Sequence, residues 1–346
     1  NGYPCAACMV SSEIPLDTMQ RARQRGKGML KKSKRFTAAV LAAFLLAGLL
    51  PTGIRIQAQE TLSGQGATVG KEDLKGQEGT AVEEPGLGQE TVREGPDQDA
   101  QGRASGDYEY VEKKDGTLEL TRYLGDSSVI AVPDTIDGKA VTSLGDSFSN
   151  CRPLYAVAIG ANISQIGPVP FSDAISLKYI SVDSRNPYYA SRDGILYSKD
   201  MAELIFCPLG REGDVAIPEG VSSIGRLAFG NCHLLTGVDI PEGVVSIGEF
   251  AFGNCISLAR VDLPASVAEL GNAAFSGCSD LAEVKLNAGN LTQVTSSAFS
   301  GCGLERITIP EGVEEIGASA FQSCGRLSEV VIPESVSSIG DNAFLD

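Results

Sequence analysis

Residues Ile240–Cys255 read IPEGVVSIGEFAFGNC, and the same pattern returns 23 residues later as LPASVAELGNAAFSGC over Leu263–Cys278. Comparing the chain with itself gives a Phe-x-x-Cys beat at Phe148/Cys151, Phe229/Cys232, Phe252/Cys255, Phe275/Cys278, Phe299/Cys302 and Phe321/Cys324. From Cys232 onward the cysteines are 23, 23, 24 and 22 residues apart. Phe171 and Phe344 keep the aromatic beat without a cysteine. An Ile-Gly or Leu-Gly step travels with it at Leu144, Ile166, Ile224, Ile247, Leu270, Ile316 and Ile339. Self-similarity at a period in the twenties marks a solenoid, in which no coil has a complete core until its neighbours cover it.

One coil, Leu258–Cys278, shows the physics. Val261 and Leu263 alternate as in a short strand with one face inward. Pro264 ends the ladder by removing a donor, and sister coils use Pro-Glu-Gly there, where glycine tolerates positive φ. Val267 and Leu270 read as a second short extended segment, and Gly271 permits the next bend. Ala274, Phe275 and Cys278 are then expected to point inward from one tight helical turn. Stacking such coils predicts continuous columns of Phe, Ile and Cys.

This pattern resembles the BspA-like branch of the leucine-rich repeats, whose units read like LxxIxIPxxVxxIGxxAFxxCxxL. The likeness covers about 107–346. It implies a curved leucine-rich repeat solenoid, mostly β with short helical turns, with a parallel sheet on the concave side, repeats of about 23 residues and one enlarged repeat. It also implies a bacterial surface protein that binds by adhesion to host matrix proteins or other cells. Tyr108–Gly125 looks like the hairpin that opens such arrays, placed at 107–132. Three departures stand out. Asn287 occupies a proline slot, Ala174 a cysteine slot, and 58 residues separate Ile166 from Ile224. The excess, about 183–214, reads as a β-hairpin or enlarged coil on either side of Ser198-Lys199-Asp200. Its tyrosines, Tyr188, Tyr189 and Tyr197, either form a ligand platform or cover the flank of the solenoid.

Before the array the composition changes twice. The chain of 346 residues carries net charge −16, but residues 1–58 are net +7, which leaves −23 for the rest. Met29–Arg35 is basic, and the apolar run FTAAVLAAFLLAGLL (Phe36–Leu50) follows it. With the small-residue site at Ala58, 29–58 has the layout of a secretory signal peptide, implying a secreted or cell-surface protein with no permanent membrane span after cleavage. Residues 1–28 fit no targeting pattern and are read as over-called or fragmentary upstream sequence, with translation expected to start at Met29, Met19 being the alternative. Residues 59–106 contain no aromatic residue, ten glycines, and ten acids against four bases. Such a segment buries too little apolar surface to offset ordering entropy, so it reads as a disordered acidic linker. At the other end, Ile339–Asp346 stops before a cysteine slot, and the array is expected to continue beyond it.

Signals for chemistry are few. A body this acidic repels phosphate backbones, so nucleic acid is not an expected partner. The chain has one histidine, His233, beside Cys232; adjacent residues on a tight turn point apart, so the two do not read as a Cys-His dyad, and a single histidine starves most metal sites. No cofactor and no enzymatic activity are expected. A cysteine slot that accepts Ala174 reads as packing rather than as a ligand or catalytic thiol. The surviving candidate is the outward face of the concave strands, where Tyr179, Asp239, Arg260, Asp262, Glu283, Lys285, Arg306 and Glu329 project. Its expected partner is a protein of the matrix or cell surface, with glycan as an alternative. A rigid spacer presenting a domain beyond residue 346 is the architectural alternative.

Overall fold

A computed structural model describes residues 103–287 and 289–345. The signal-peptide reading (29–58), the upstream segment (1–28) and all but the last residues of the linker lie outside the described residues. An antiparallel meander comes first: β1 (Arg103–Ser105), β2 (Tyr108–Glu112) and β3 (Leu118–Tyr123). It starts before the expected boundary at 107, because Gly106 at φ 58° turns Arg103–Ser105 back onto β2. The first coils supply β4 (Val129–Ala131), β5 (Thr135–Ile136), β6 (Lys139–Leu144), β7 (Ala156–Ile159), β8 (Gln165–Ile166) and β9 (Tyr179–Val182). The enlarged repeat supplies β10 (Tyr189–Arg192), β11 (Ile195–Ser198), β12 (Glu203–Phe206) and β13 (Gly213–Ala216). Regular coils then alternate a long and a short strand: β14 (Ser223–Ile224), β15 (Leu235–Asp239), β16 (Ser246–Ile247), β17 (Arg260–Leu263), β18 (Glu269–Leu270) and β19 (Glu283–Leu286). The alternation continues with β20 (Gln293–Val294), β21 (Arg306–Thr308), β22 (Glu315–Ile316), β23 (Glu329–Val331) and β24 (Ser338–Ile339).

The long strands stack in parallel as β4-β7-β9, β13-β15-β17-β19 and β21-β23. The short ones stack as β12-β14-β16-β18 and β20-β22-β24, while β6 joins β3 to β8. Registers advance by one coil, as in Arg260↔Glu283 and Ile247↔Leu270. Two departures from the repeat are absorbed locally. Asn287 donates its backbone N–H to Leu263 O at 3.2 Å, a bond proline could not make. Ala174 is fully buried in the cysteine slot.

The third side corrects the sequence reading. No helix is present among the described residues. The Phe-x-x-Cys segment is a series of hydrogen-bonded turns, and its N–H groups reach across to the next coil: Phe229 to Ala251 O (2.7 Å), Phe252 to Ala274 O (2.7 Å), Phe275 to Ala298 O (2.8 Å). The residue two after each Phe, such as Asn231 and Asn254, has positive φ (62° and 57°), which a right-handed helix cannot contain. Backbone hydrogen bonds therefore join successive coils on all three sides. Coil spacing is then close to the ~4.8 Å of a β ladder on each of these sides.

Inside, the rings of Phe229, Phe252, Phe275, Phe299, Phe321 and Phe344 stack at centroid distances of 4.8 to 5.5 Å, within 9° of parallel. Phe148 and Phe171 stack likewise at 5.6 Å. All of these phenylalanines are buried except Phe344, which is 37 % exposed. Phe206 adds a rung against Phe171 at 5.3 Å, and the beat missed it because Phe206 and Cys207 are adjacent rather than three apart.

Candidate interaction face

Side chains on the long strands alternate in and out, as the period of two requires. On β17 and β19 Val261, Leu263, Val284 and Leu286 are buried, while Arg260, Asp262, Glu283 and Lys285 are exposed. Arg306 on β21 and Glu329 on β23 are exposed in the same row, in register with each other. Glu305 N donates to Ala282 O at 3.5 Å, which seats the β21 coil against the β19 coil. One row thus reads Arg260, Glu283, Arg306, Glu329 with alternating sign. In the next row Lys285 Nζ pairs with Asp262 Oδ2 at 3.1 Å and lies 4.0 Å from Glu283 Oε1. Arg260 and Arg306 make no ion pair within the described residues. Asp239 is exposed on β15.

The strands that carry these residues are not all neighbours: β9, which carries Tyr179, and β15 are separated by β13, whose Asp214 and Ala216 are exposed. Thr236 Oγ1 donates to Asp214 Oδ1 at 2.7 Å. The run Val215-x-Ile217-Pro218 carries the strand signature of its sister coils and was legible as a rung. Beyond that break the face changes character. The outward residues of β4, β7 and β9 are Val129, Ala131, Ala156, Ala158, Tyr179 and Ser181, none charged. Tyr155, 42 % exposed, leans on Tyr179 with ring centroids 5.5 Å apart. The tip of the β10–β11 hairpin closes the edge of β9, with Ile180 N donating to Gly194 O at 2.9 Å.

The insert tyrosines do not share one platform. Tyr197 is 1 % exposed and belongs to the core, where burial pushes its phenol pKa well up. Tyr189 is half-buried, and its hydroxyl meets Ser164 O at 3.4 Å and the Ile166 N–H, standing in for a missing strand beside β8. Only Tyr188 is exposed. Asn186, which the sequence reading passed over, anchors the segment. It is completely buried, donates from Nδ2 to Gly160 O and Ile163 O (both 2.9 Å), and accepts from Tyr188 N (2.8 Å) and Tyr189 N (2.9 Å).

The cysteine column is packed. The seven described cysteines are free, all buried except Cys151, which is half-buried. Cys255, Cys278, Cys302 and Cys324 each point Sγ at the carbonyl oxygen of the Phe one coil back, at 3.0 to 3.1 Å. Cys232 instead meets Cys207 O at 3.6 Å. A hydrogen bond with Cys207 and burial push the Cys232 thiol up and burial pushes up Cys255, whereas hydrogen bonds with Cys255 and Cys302 pull the buried Cys278 thiol down. No group of three or more His, Cys, Asp or Glu with metal-holding geometry occurs among the described residues, and no helix long and apolar enough to cross a membrane occurs among them.

A family model for the BspA type leucine-rich repeat region matches six copies, over 135–192, 205–328 and 268–346, more than half of the chain. The chain belongs to the BspA-type leucine-rich repeat family. No curated protein matches it. Among solved structures, a leucine-rich repeat protein from Eubacterium ventriosum ATCC 27560 is similar at 18 % identity and TM-score 0.51, over 70 % of this chain and 93 % of that one. A T. pallidum leucine-rich repeat protein is similar at 26 % identity and TM-score 0.36, over 66 % of this chain and 91 % of that one. A leucine-rich cell surface protein from Faecalibacterium prausnitzii A2-165 shows 21 % identity and TM-score 0.32, over 72 % and 93 %. The first of these likenesses speaks for the fold alone.

Proposed function

We propose that this BspA-type protein is exported, displayed at the cell surface, and binds other proteins through the long-strand face from β13 to β23, in adhesion to matrix or to other cells. One observation carries the reading: Arg260 and Arg306 stand exposed and, among the described residues, without an ion pair, beside acids held in fixed register. Charges held this way select a partner by complementarity and speed its encounter, at little cost in ordering. The basic and apolar layout of 29–58 supports export.

The test is binding of the full chain to a panel of immobilised extracellular-matrix proteins. Reversing Arg260, Lys285 and Arg306 to Glu together is expected to weaken binding by at least about tenfold while the melting temperature holds. Unchanged binding by the triple variant, or no retention of the parent chain, overturns the reading.

A further inference from the structure

The exposed row on β17, β19, β21 and β23 is complementary to itself. Its signs run plus, minus, plus, minus through Arg260, Glu283, Arg306 and Glu329. Turn a second copy face-on with its coils in the opposite order, about a two-fold axis parallel to the strands and midway between Glu283 and Arg306. Arg260 then faces Glu329 of the other copy, and Glu283 faces Arg306, each pair occurring twice. A two-fold interface must match its own surface in this way. We infer that the partner recognised by this face is a second copy of the same chain, docked with antiparallel coil order; this rests on the proposal that the β13–β23 face is a protein-binding surface.

Two further observations favour that partner. The next row brings no like charges together: Lys285 meets Thr308, and Asp262, already neutralised by Lys285 at 3.1 Å, meets Val331. Alternation also fixes the register. Sliding one copy by a single coil puts Glu283 against Glu283 and Arg260 against Arg306, so the shifted dimer is repelled. A contact four coils long lies at the small end of specific interfaces, so the dimer is weak and salt-sensitive.

Sedimentation velocity of the full chain tests this. A reversible dimer is expected at an ionic strength of about 50 mM, weakening at least about tenfold near 0.5 M salt. Arg306→Glu alone and Glu283→Arg alone each abolish it, and the double variant restores it, because the 283–306 contacts are then exchanged rather than lost. A chain that stays monomeric up to about 200 μM at low salt, a dimer indifferent to Arg306→Glu, or a double variant that fails to recover sinks the inference. If Arg306→Glu weakens capture by a matrix protein while the parent chain never dimerises, self-recognition fails and the broader protein-binding reading stands.

Discussion

The thiol of Cys255 lies 3.0 Å from the carbonyl oxygen of Phe229, one coil back, and that same oxygen accepts the backbone N–H of Cys232 at 3.0 Å. The cysteine is therefore a small buried side chain with one weak donor, which fills its slot and serves a second lone pair of the preceding turn. The same relationship recurs at Cys278, Cys302 and Cys324.

That role bounds the cost of removing it. Cys255→Ala is expected to destabilise the solenoid by about 1–2 kcal/mol, since a small void opens and a weak hydrogen bond goes, whereas Phe252→Ala, which empties a stacked rung, costs about 3–5 kcal/mol. Urea denaturation compares them. Equal losses would mean that the thiol does more than pack.

Asn186 is a stronger single point of failure than its position in an insert implies. Its four hydrogen bonds tie the segment before β10 to the preceding coil. Asn186→Ala leaves buried carbonyls and amides without partners and is expected to cost about 3 kcal/mol. Amide exchange should quicken first over β10 and β11. Uniform quickening of all coils would contradict a local anchor.

Close approach of coils requires glycine at the Ile-Gly or Leu-Gly step of Gly248, Gly271, Gly317 and Gly340. A β-carbon on Gly271 would sit 2.3 Å from Glu249 N, whereas one on Gly289 would meet nothing within 4 Å. Gly271→Ala is expected to lower stability by about 2–3 kcal/mol through forced backbone separation, with Gly289→Ala close to neutral. Thermal melts of the two variants make the comparison, and similar melting temperatures would refute it.

Alkaline pH should unfold the array. Burial pushes the phenols of Tyr197 and Tyr108 up from the ordinary tyrosine value, with neighbouring negative charge adding to it. Below about pH 10 these groups keep their protons folded or unfolded, so their contribution is intact; above it the unfolded chain releases protons that the fold retains, and stability falls as pH rises. The melting temperature should hold from about pH 7 to 9 and fall beyond about 10, with late phenolate absorbance appearing together with unfolding. Full ionisation near pH 10 in a still-folded chain would count against it.

The periodic text was enough to read the stacking, the two strand series, the phenylalanine column and which strand residues face outward. A repeat exposes those because each coil meets only its neighbours, so local spacing is also tertiary spacing. Interrupted regions were less legible. Tyr197 looked like a surface aromatic until the β11–β12 pairing turned it into the core, and Phe206 fills a rung without the spacing that marks its sisters.

Sequence alone determined that this protein is a solenoid, since a 23-residue beat of Phe, Gly and Cys buries its apolar face only when coils stack. The tertiary structure alone decided three things. The third side is a hydrogen-bonded ladder rather than helical turns, because its N–H groups find acceptors on the next coil. The insert is held by one buried asparagine. Among the described residues Arg260 and Arg306 make no ion pair while Lys285 is taken by Asp262, and only side-chain reach across fixed register could choose between those outcomes.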